Sequence, residues 1–386
     1  MAATDHTTGR PNSKVPGAKP AFAAALPSEL EISLSNRCSL ACSYCYFGNA
    51  PAEKPRSLSP EQACLGVDRY IEAAGASGIR IERIGFVDSP DPLLRYKTLK
   101  SCVKHIRSRL GGSVVIEVQT NGLLLDAGKV RSLADQGVRS VLRLDGNKAE
   151  NDRHRVFPGK PGRSSFEAVV RRLKNLPAGY MELLQAAPSF TPATAGALGS
   201  SVDFLYGLGF RNIQLKNLNI PEIWTESGLN QLRAGLRELK RFCLPLIAMR
   251  ARRGKGLRLH LTYLKKEDSY GFCEFVLGCD GRFYPGGYTP KAPAGLDFCA
   301  GDIKKGINVP RLSAIRAEIL DRLGRHDPGG YLRYIPSPGV LYLGILLRRL
   351  DPAEAIRSNG LKSLIIIDEL RKLMRVDKML DSSKHS

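Results

Sequence analysis

The stretch LEISLSNRCSLACSYCYF, Leu30–Phe47, joins a short apolar strand pattern to a loop that carries three cysteines. These are Cys38, Cys42 and Cys45, spaced CxxxCxxC, with no fourth cysteine nearby. Clustered thiols in a chain without a secretion signal predict a metal or catalytic site rather than disulfides. Structural zinc usually takes four protein ligands, commonly as paired CxxC units, so three thiols on one loop fit zinc poorly.

A four-iron four-sulfur cluster normally takes four cysteines, one for each iron. With three, one iron stays open for a ligand. The loop therefore predicts that Cys38, Cys42 and Cys45 hold a [4Fe-4S] cluster that binds a substrate or cofactor directly. The alternative is that the three cysteines are buried and purely structural.

Six short apolar or β-branched runs alternate with helical patterns around this loop. The predicted strands are 30–35, 81–87, 114–120, 140–145, 180–188 and 212–219, and the predicted helices are 59–75, 95–110, 126–137, 164–175 and 195–208. Such alternation predicts an α/β fold with parallel strands, here a partial (β/α)6 TIM-type barrel. Active residues of such barrels lie at the carboxyl ends of strands, where the cysteines fall.

The chain divides into three predicted parts. Residues 1–27 form a disordered N-terminal arm, residues 28–225 the barrel, and residues 226–386 a basic helix followed by a C-terminal α+β cap. In the last part, the apolar spacing from Leu229 to Cys243 predicts an amphipathic helix with a break at Pro245. Cys279–Arg282 predicts a hairpin turn, and two apolar helical stretches follow near the C-terminus.

The charge is strongly positive. The 386 residues carry 58 Lys and Arg against 37 Asp and Glu, a net charge of +21, and eleven of the basic residues fall between Arg233 and Lys266. This charge favours an acidic peptide or a nucleic acid as a partner, although a solvated helix face is an equal alternative. No apolar run reaches the roughly 18 residues of a membrane span, which predicts a cytoplasmic protein without a membrane partner.

Four segments together resemble the radical S-adenosylmethionine (SAM) superfamily over about residues 30–220. CxxxCxxC with Tyr44 before its third cysteine is similar to the superfamily's cluster motif, and GFVDSPDPLL (85–94) to its GGEP segment. EVQTNGLLLD (117–126) is similar to TNG-x-LL, and LRLDGNKAENDRHRV (142–156) to the run that begins SLDG. The branch indicated is that of anaerobic sulfatase-maturating and other peptide-modifying enzymes.

This resemblance implies an enzyme with one [4Fe-4S] cluster and SAM as cofactors. In the superfamily the open iron chelates the amino and carboxylate groups of SAM. One electron, from a donor such as flavodoxin or ferredoxin, cleaves the C–S bond to give a 5′-deoxyadenosyl radical. That radical abstracts hydrogen from the substrate. The implied substrate is a peptide or protein side chain or α-carbon, and the positive charge favours an acidic one.

The resemblance also implies the SAM-binding residues, which lie in the loops after the strands. They are Tyr44, Asp88, Ser89, Pro90, Asp91, Thr120, Asn121, Asp145 and Arg155. Carbonyls around 88–91 would take the methionine ammonium, and Arg155 would pair with the SAM carboxylate. Two departures stand out, because SPDP replaces GGEP and Arg143 replaces the serine of SLDG. Simple turns are the alternative reading of the Thr120–Gly122 and Asp145–Gly146 segments.

The branch commonly carries a C-terminal extension, called SPASM, with further clusters. Here Cys273 is followed by DGRFYPGG, but Gly286 replaces the expected cysteine and Gly287 the acidic residue that acts as base in sulfatase maturases. No cysteine follows Cys299. These losses predict a degenerate cap without the second auxiliary cluster and argue against formylglycine formation. Cys273, Cys279 and Cys299 remain candidates for one auxiliary cluster, or for a hydrogen donor to a substrate radical.

Two other functions fit parts of the sequence. One is radical SAM modification of RNA or a small metabolite, which the basic segment around residues 233–266 favours. The other is a non-catalytic zinc-binding protein. The sequence assigns no further catalytic residue, the bond that changes, or whether SAM is consumed.

Overall fold

The computed structural model describes residues 26–45, 54–86, 90–217, 222–253, 256–261, 275–286, 296–335, 341–342, 345–346 and 348–382. The strands are β1 (Glu29–Ile32), β2 (Arg83–Phe86), β3 (Val115–Thr120), β4 (Val138–Leu142), β5 (Leu184–Ala186), β6 (Ser189–Phe190), β7 (Asn212–Asn217), β8 (Arg258–Leu261), β9 (Val276–Leu277), β10 (Phe283–Tyr284), β11 (Gly301–Asp302) and β12 (Gly306–Ile307). The helices are α1 (Pro60–Ala76), α2 (Tyr96–Leu110), α3 (Ala127–Ala134), α4 (Lys148–His154), α5 (Ser165–Lys174), α6 (Leu198–Gly207), α7 (Glu226–Arg253), α8 (Val309–Gly324) and α9 (Pro352–Ser382).

One curved sheet organises the chain, in the order β10-β9-β1-β2-β3-β4-β5-β7-β6, with β8 beside β7. The pairs from β1 to β5, then β5 with β7 and β7 with β8, are all parallel. Helices connect these parallel strands, as right-handed crossovers require. The predicted partial parallel barrel is therefore confirmed, and β8 adds a parallel strand that the sequence reading missed.

Residue alternation on the strands separates an apolar outer face from a polar inner face. Leu30 and Ile32 of β1 are fully buried in the apolar core. Between them Glu31 points to the other face, where Arg83 of β2 forms ion pairs with Glu29 and Glu31. The inside of this barrel is thus lined by charged side chains, and the apolar core lies between the sheet and the helices.

Two predicted elements differ from the structure. The predicted strand 180–188 begins as a 3-10 turn at Tyr180–Leu183, and only Leu184–Ala186 pair as a strand. Gly179, with a left-handed φ of 81°, starts this turn and delays the strand. The predicted break at Pro245 is wrong, because α7 continues through it to Arg253. Pro245 lies on the exposed side, while Cys243 and Ile247 anchor both halves of the helix in the core.

The C-terminal region is built into the barrel sheet. Strand β9 pairs in parallel with β1, and β10 turns back on β9 through the predicted hairpin, which is confirmed. Helix α9 packs along α7. The predicted boundary at residue 225 therefore separates stretches of sequence that share one sheet. None of the helices in the described ranges is long and apolar enough to cross a membrane.

Two helical glycines give a matched test of this packing. A Cβ on Gly235 of α7 would overlap the carbonyl oxygen of Ala195, whereas a Cβ on Gly75 of α1 would meet nothing within 4 Å. We expect Gly235→Ala to lower the free energy of unfolding by about 1–3 kcal/mol, because the helix must shift away. Gly75→Ala should raise it by about 0.5 kcal/mol through helix propensity. Urea unfolding of both variants measures this, and equal effects would contradict the packing.

Candidate functional site

The cysteine loop, residues 37–45, is fastened to the segment that follows β4. The amide of Ala41 donates to the carbonyl of Val156 at 2.8 Å, and the amide of Ser43 donates to the carbonyl of His154 at 2.9 Å. The Ser43 hydroxyl and the His154 ring nitrogen Nδ1 lie 2.7 Å apart. These bonds place the loop over the carboxyl ends of the parallel strands, as the barrel prediction requires.

The three cysteines differ in exposure. Cys38 is exposed, Cys45 is half-buried and Cys42 is buried. Burial raises the pKa of the Cys42 thiol to about 12, against the opposing effect of Arg155. The side-chain Nδ2 of Asn121 donates to the Cys38 sulfur at 3.6 Å, which links the TNG segment to the loop.

The donor set fits an iron–sulfur cluster better than a single ion. No group of three or more His, Cys, Asp or Glu side chains in the described ranges could hold one metal ion. Cluster cysteines bind different irons, so their thiols need not converge on one point. Three thiols on one loop, with an amide donor directed at one sulfur, meet that requirement.

Asp145, Arg155 and Tyr44 form a buried node beneath the loop. Arg155 binds Asp145 through both Nε and Nη2, at 2.8 and 3.0 Å. The Tyr44 hydroxyl donates to Asp145 Oδ2 at 2.6 Å, and the Ser189 amide donates to Oδ1 at 2.9 Å. Burial alone would lower the pKa of Arg155, but Asp145 and Tyr44 raise it well above its ordinary value. The node ties the cysteine loop to β4 and to β6.

A second node joins Asp91 to the TNG turn. Asp91 accepts hydrogen bonds from the Thr120 hydroxyl at 2.8 Å, from the backbone amide of Asn121 at 3.0 Å and from the backbone amide of Leu93 at 2.9 Å. Burial raises the pKa of Asp91, although these donors oppose the shift. Gly122 adopts a φ of 81°, which the turn demands and glycine permits. The predicted residues Pro90, Asp91, Thr120 and Asn121 thus lie together, whereas Asp88 and Ser89 lie outside the described residues.

The structure describes two of the three C-terminal cysteines. Cys273 lies outside the described residues, and Cys279 and Cys299 are both half-buried. The Cys299 thiol donates to the carbonyl of Gly301 at 3.2 Å. In the described part of the cap, therefore, nothing gathers these thiols into a metal site.

Comparison with known proteins supplies the family. Residues 32–179 match the Radical SAM superfamily. This segment is a radical SAM domain. It contains the cysteine loop, both nodes and strands β2 to β4. The match of this segment to the superfamily indicates an enzyme.

Two serine-type anaerobic sulfatase-maturating enzymes are similar in sequence. The one from Klebsiella aerogenes is 32% identical over 189 residues, 47% of this chain and 44% of that protein. The one from Klebsiella pneumoniae is 34% identical over 140 residues, 35% of this chain and 33% of that protein. The chain therefore matches less than half the length of either relative.

Two solved structures share the fold beyond the radical SAM domain. AnSMEcpe with bound AdoMet has a TM-score of 0.59 at 17% identity, covering 92% of this chain and 99% of that one. Streptococcus suis SuiB bound to its precursor peptide SuiA has a TM-score of 0.50 at 16% identity, covering 81% of this chain and 74% of that one.

Two features of the structure were missed by sequence reasoning. Cys64 of α1 and Cys102 of α2 meet outside the barrel, and their hydrogen bond lowers the pKa of Cys64 to about 6, with His105 contributing. Cysteine positions in separate helices give no sign of this contact. The second feature is Arg143, whose side chain enters the barrel. The replacement of the SLDG serine by Arg143 is the signal in the sequence that marks this position.

Proposed function

We propose that this protein cleaves SAM reductively and uses the resulting radical to abstract hydrogen from a peptide or protein. The observation that carries the proposal is the attachment of the cysteine loop to the carboxyl ends of β3 and β4. Asn121 reaches Cys38 from β3, and Tyr44 reaches Asp145 from β4. Three thiols are thereby presented where strand-end groups can surround a zwitterionic cofactor. A [4Fe-4S] cluster with SAM would supply the electron transfer and the 5′-deoxyadenosyl radical.

The node beneath the loop has a positioning role in this proposal. A carboxylate offers about four acceptor sites, and Asp145 already accepts from Tyr44, from Ser189 and twice from Arg155. Arg155 in turn is buried in its bidentate pair. We therefore assign Asp145 and Arg155 to holding Tyr44 and the loop, rather than to direct contact with SAM.

The SAM methionine group would be held on the other side of the loop. Asn121 lies there, next to the exposed Cys38, and the carbonyls around residues 88–91 stay the predicted acceptors of the SAM ammonium group. The Asp91 carboxylate fixes the Asn121 backbone through the 3.0 Å bond from its amide. These groups can orient an ammonium and a carboxylate without using the charges of the buried node.

Two similar sequences and two solved structures support a peptide substrate. The two curated relatives mature sulfatases, which are proteins, and the SuiB structure contains a precursor peptide. A structure of anSMEcpe contains the Cp18Cys peptide together with AdoMet. Gly287 in place of the acidic base of sulfatase maturases supports a reaction other than formylglycine formation. We further propose a single cluster, and a soluble electron donor such as flavodoxin or ferredoxin.

The release of 5′-deoxyadenosine tests the proposal. Anaerobically reconstituted protein with SAM and dithionite should give 5′-deoxyadenosine and methionine in equal amounts by mass spectrometry. Cys45→Ala should give neither, whereas Cys64→Ser, which removes a thiol remote from the loop, should behave as the wild type. Wild-type protein that contains iron but releases no more than Cys45→Ala would refute the activity.

Deuterium transfer tests the substrate class. Peptide and RNA fractions from cells grown in deuterated medium would be supplied separately in the same assay. Because the radical takes hydrogen from its substrate, we expect deuterium in 5′-deoxyadenosine from the peptide fraction. Transfer from the RNA fraction alone would overturn the peptide assignment.

A further inference from the structure

The inside of the barrel contains one layer of side chains that the proposed SAM site does not use. Its members are level on the inner face, one residue beyond the register pairs Leu142–Ala186 and Ala186–Ile213. They are Arg143 after β4, Ala187 after β5 and Gln214 on β7. Neighbouring strands lie about 4.8 Å apart, so Arg143 and Gln214 lie side by side on the inner face, roughly 10 Å apart, with the small Ala187 between them in the row.

Arg143 is a cation with neutral partners. Its Nη2 donates to the Ser189 hydroxyl at 2.9 Å and its Nη1 to Gln119 Oε1 at 3.4 Å. Across the described ranges, no carboxylate lies within ion-pair distance of it, and its side chain is only half-buried. A guanidinium pairs strongly and bidentately with a carboxylate, so this one retains most of its binding capacity.

Three other arginines on the barrel strands or in the segment after β4 are already paired with carboxylates. Arg155 binds Asp145, Arg83 binds Glu29 and Glu31, and Arg139 lies 3.6 Å from Glu117. Arg143 differs from these three arginines because its partners in the described ranges, Ser189 and Gln119, are neutral.

Gln214 supplies an independent sign of a ligand. Its side chain is 7% exposed, and its Oε1 is buried without a hydrogen-bond partner in the described residues. The neighbouring Ile213 and Leu215 point into the apolar core, so Gln214 points into the barrel. A buried carbonyl oxygen without a hydrogen bond destabilises the fold, and a ligand N–H would supply the missing bond.

This layer is connected to the cysteine loop. The Ser189 hydroxyl accepts a hydrogen bond from Arg143, and the Ser189 backbone amide donates one to Asp145. Asp145 in turn accepts a hydrogen bond from the Tyr44 hydroxyl. A ligand on Arg143 would thus be linked to Tyr44 of the loop through three hydrogen bonds, inside the barrel and level with Asn121 of the proposed SAM site. That is where a substrate must lie for a radical formed at the loop to reach it.

We propose that Arg143 and Gln214 form a substrate subsite for a carboxylate-bearing peptide. Arg143 pairs with the carboxylate, and Gln214 Oε1 accepts a peptide N–H. The subsite rests on the proposed function and narrows its substrate class. A carboxylate can come from an acidic side chain or from a C-terminus, and both share the chemistry that Arg143 recognises.

Three fluorescein-labelled peptides distinguish the sources. The sequence Gly-Ala-Ser-Xaa-Ser-Ala-Gly would carry central Glu with an amidated C-terminus, central Gln with an amidated C-terminus, or central Gln with a free C-terminus. Fluorescence anisotropy with reconstituted protein and SAM at 0.15 M salt limits non-specific attraction to the basic surface. We expect at least one carboxylate probe to bind about 10-fold tighter than the neutral probe, and the stronger of the two identifies the source.

Arg143→Gln should abolish this preference and leave the dissociation constant for SAM unchanged. Arg241→Gln is the matched control, because it removes one exposed charge from α7 and should keep the preference. Gln214→Leu should weaken binding of the carboxylate and neutral probes alike, since it removes the acceptor for the N–H. Circular dichroism confirms that each variant folds.

Several results would overturn the subsite. Equal binding of all three probes, or a preference that survives Arg143→Gln, would show that Arg143 binds no substrate carboxylate. Weaker SAM binding by Arg143→Gln would assign the guanidinium to the SAM carboxylate instead. Probe discrimination without 5′-deoxyadenosine release would refute the proposed activity and leave the subsite standing, whereas the reverse result would refute the subsite alone.

Discussion

Asp145→Asn is expected to lower the free energy of unfolding by about 3–5 kcal/mol, the usual cost of removing one partner from a buried ion pair. Both side chains of the Asp145–Arg155 pair are less than a tenth exposed. The variant leaves the Arg155 guanidinium buried without its counter-charge, and it weakens the acceptor for Tyr44. Urea unfolding measures this change, and the slope of the unfolding free energy against urea concentration should be the same in the variant and the wild type.

An exposed pair provides the control for this experiment. Arg131 of α3 and Asp135, which caps the end of that helix, lie 2.8 Å apart with more than half of each side chain exposed. Asp135→Asn should change stability by no more than about 0.5 kcal/mol. The double variant Asp145→Asn/Arg155→Met should recover part of the loss, because no unpaired charge remains. A loss below about 1 kcal/mol for Asp145→Asn alone would show that the node does not hold the loop.

Replacing Cys38, Cys42 and Cys45 together by alanine is expected to abolish iron binding and SAM cleavage, the largest functional effect in the molecule. The loop keeps its backbone bonds to Val156 and His154, and Tyr44 keeps its bond to Asp145. The variant should therefore fold, which separates loss of the cofactor from loss of structure. Circular dichroism and thermal unfolding check the fold beside the iron assay.

The cap cysteines give the matched comparison. Cys279→Ala/Cys299→Ala removes two half-buried thiols that share no described metal site. It should retain the wild-type iron content and 5′-deoxyadenosine release. Loss of iron in this variant would place a cluster in the cap and contradict the single-cluster proposal.

Local patterns were enough to predict much of the barrel. The Ser59 side chain and Gln62 form a capping box that starts α1, and short apolar runs separated by helical patterns mark β1 to β4. These signals depend on neighbouring residues alone, which is why they can be recognised in one sequence. Pro245 misled because tertiary contacts on both sides keep α7 continuous through it.

Contacts between residues that are far apart in the sequence could not be predicted in the same way. Strand β9 pairs with β1 from about 245 positions away, and nothing local in Val276–Leu277 specifies that pairing. The resemblance implies that Arg155 contacts SAM, which stays a prediction, but nothing in the sequence indicates the bidentate bond that Arg155 makes with Asp145. Arg155 is paired with a carboxylate and Arg143 has neutral partners. This difference depends on distances that only the folded chain defines.

The iron content of anaerobically reconstituted protein tests the central claim most directly. A single [4Fe-4S] cluster on the cysteine loop predicts about four irons per chain in the wild type and none in the Cys38→Ala/Cys42→Ala/Cys45→Ala variant. About eight irons, with half of them surviving the triple substitution, would contradict the single-cluster account. Zinc in place of iron under the same anaerobic handling would contradict the enzyme account altogether.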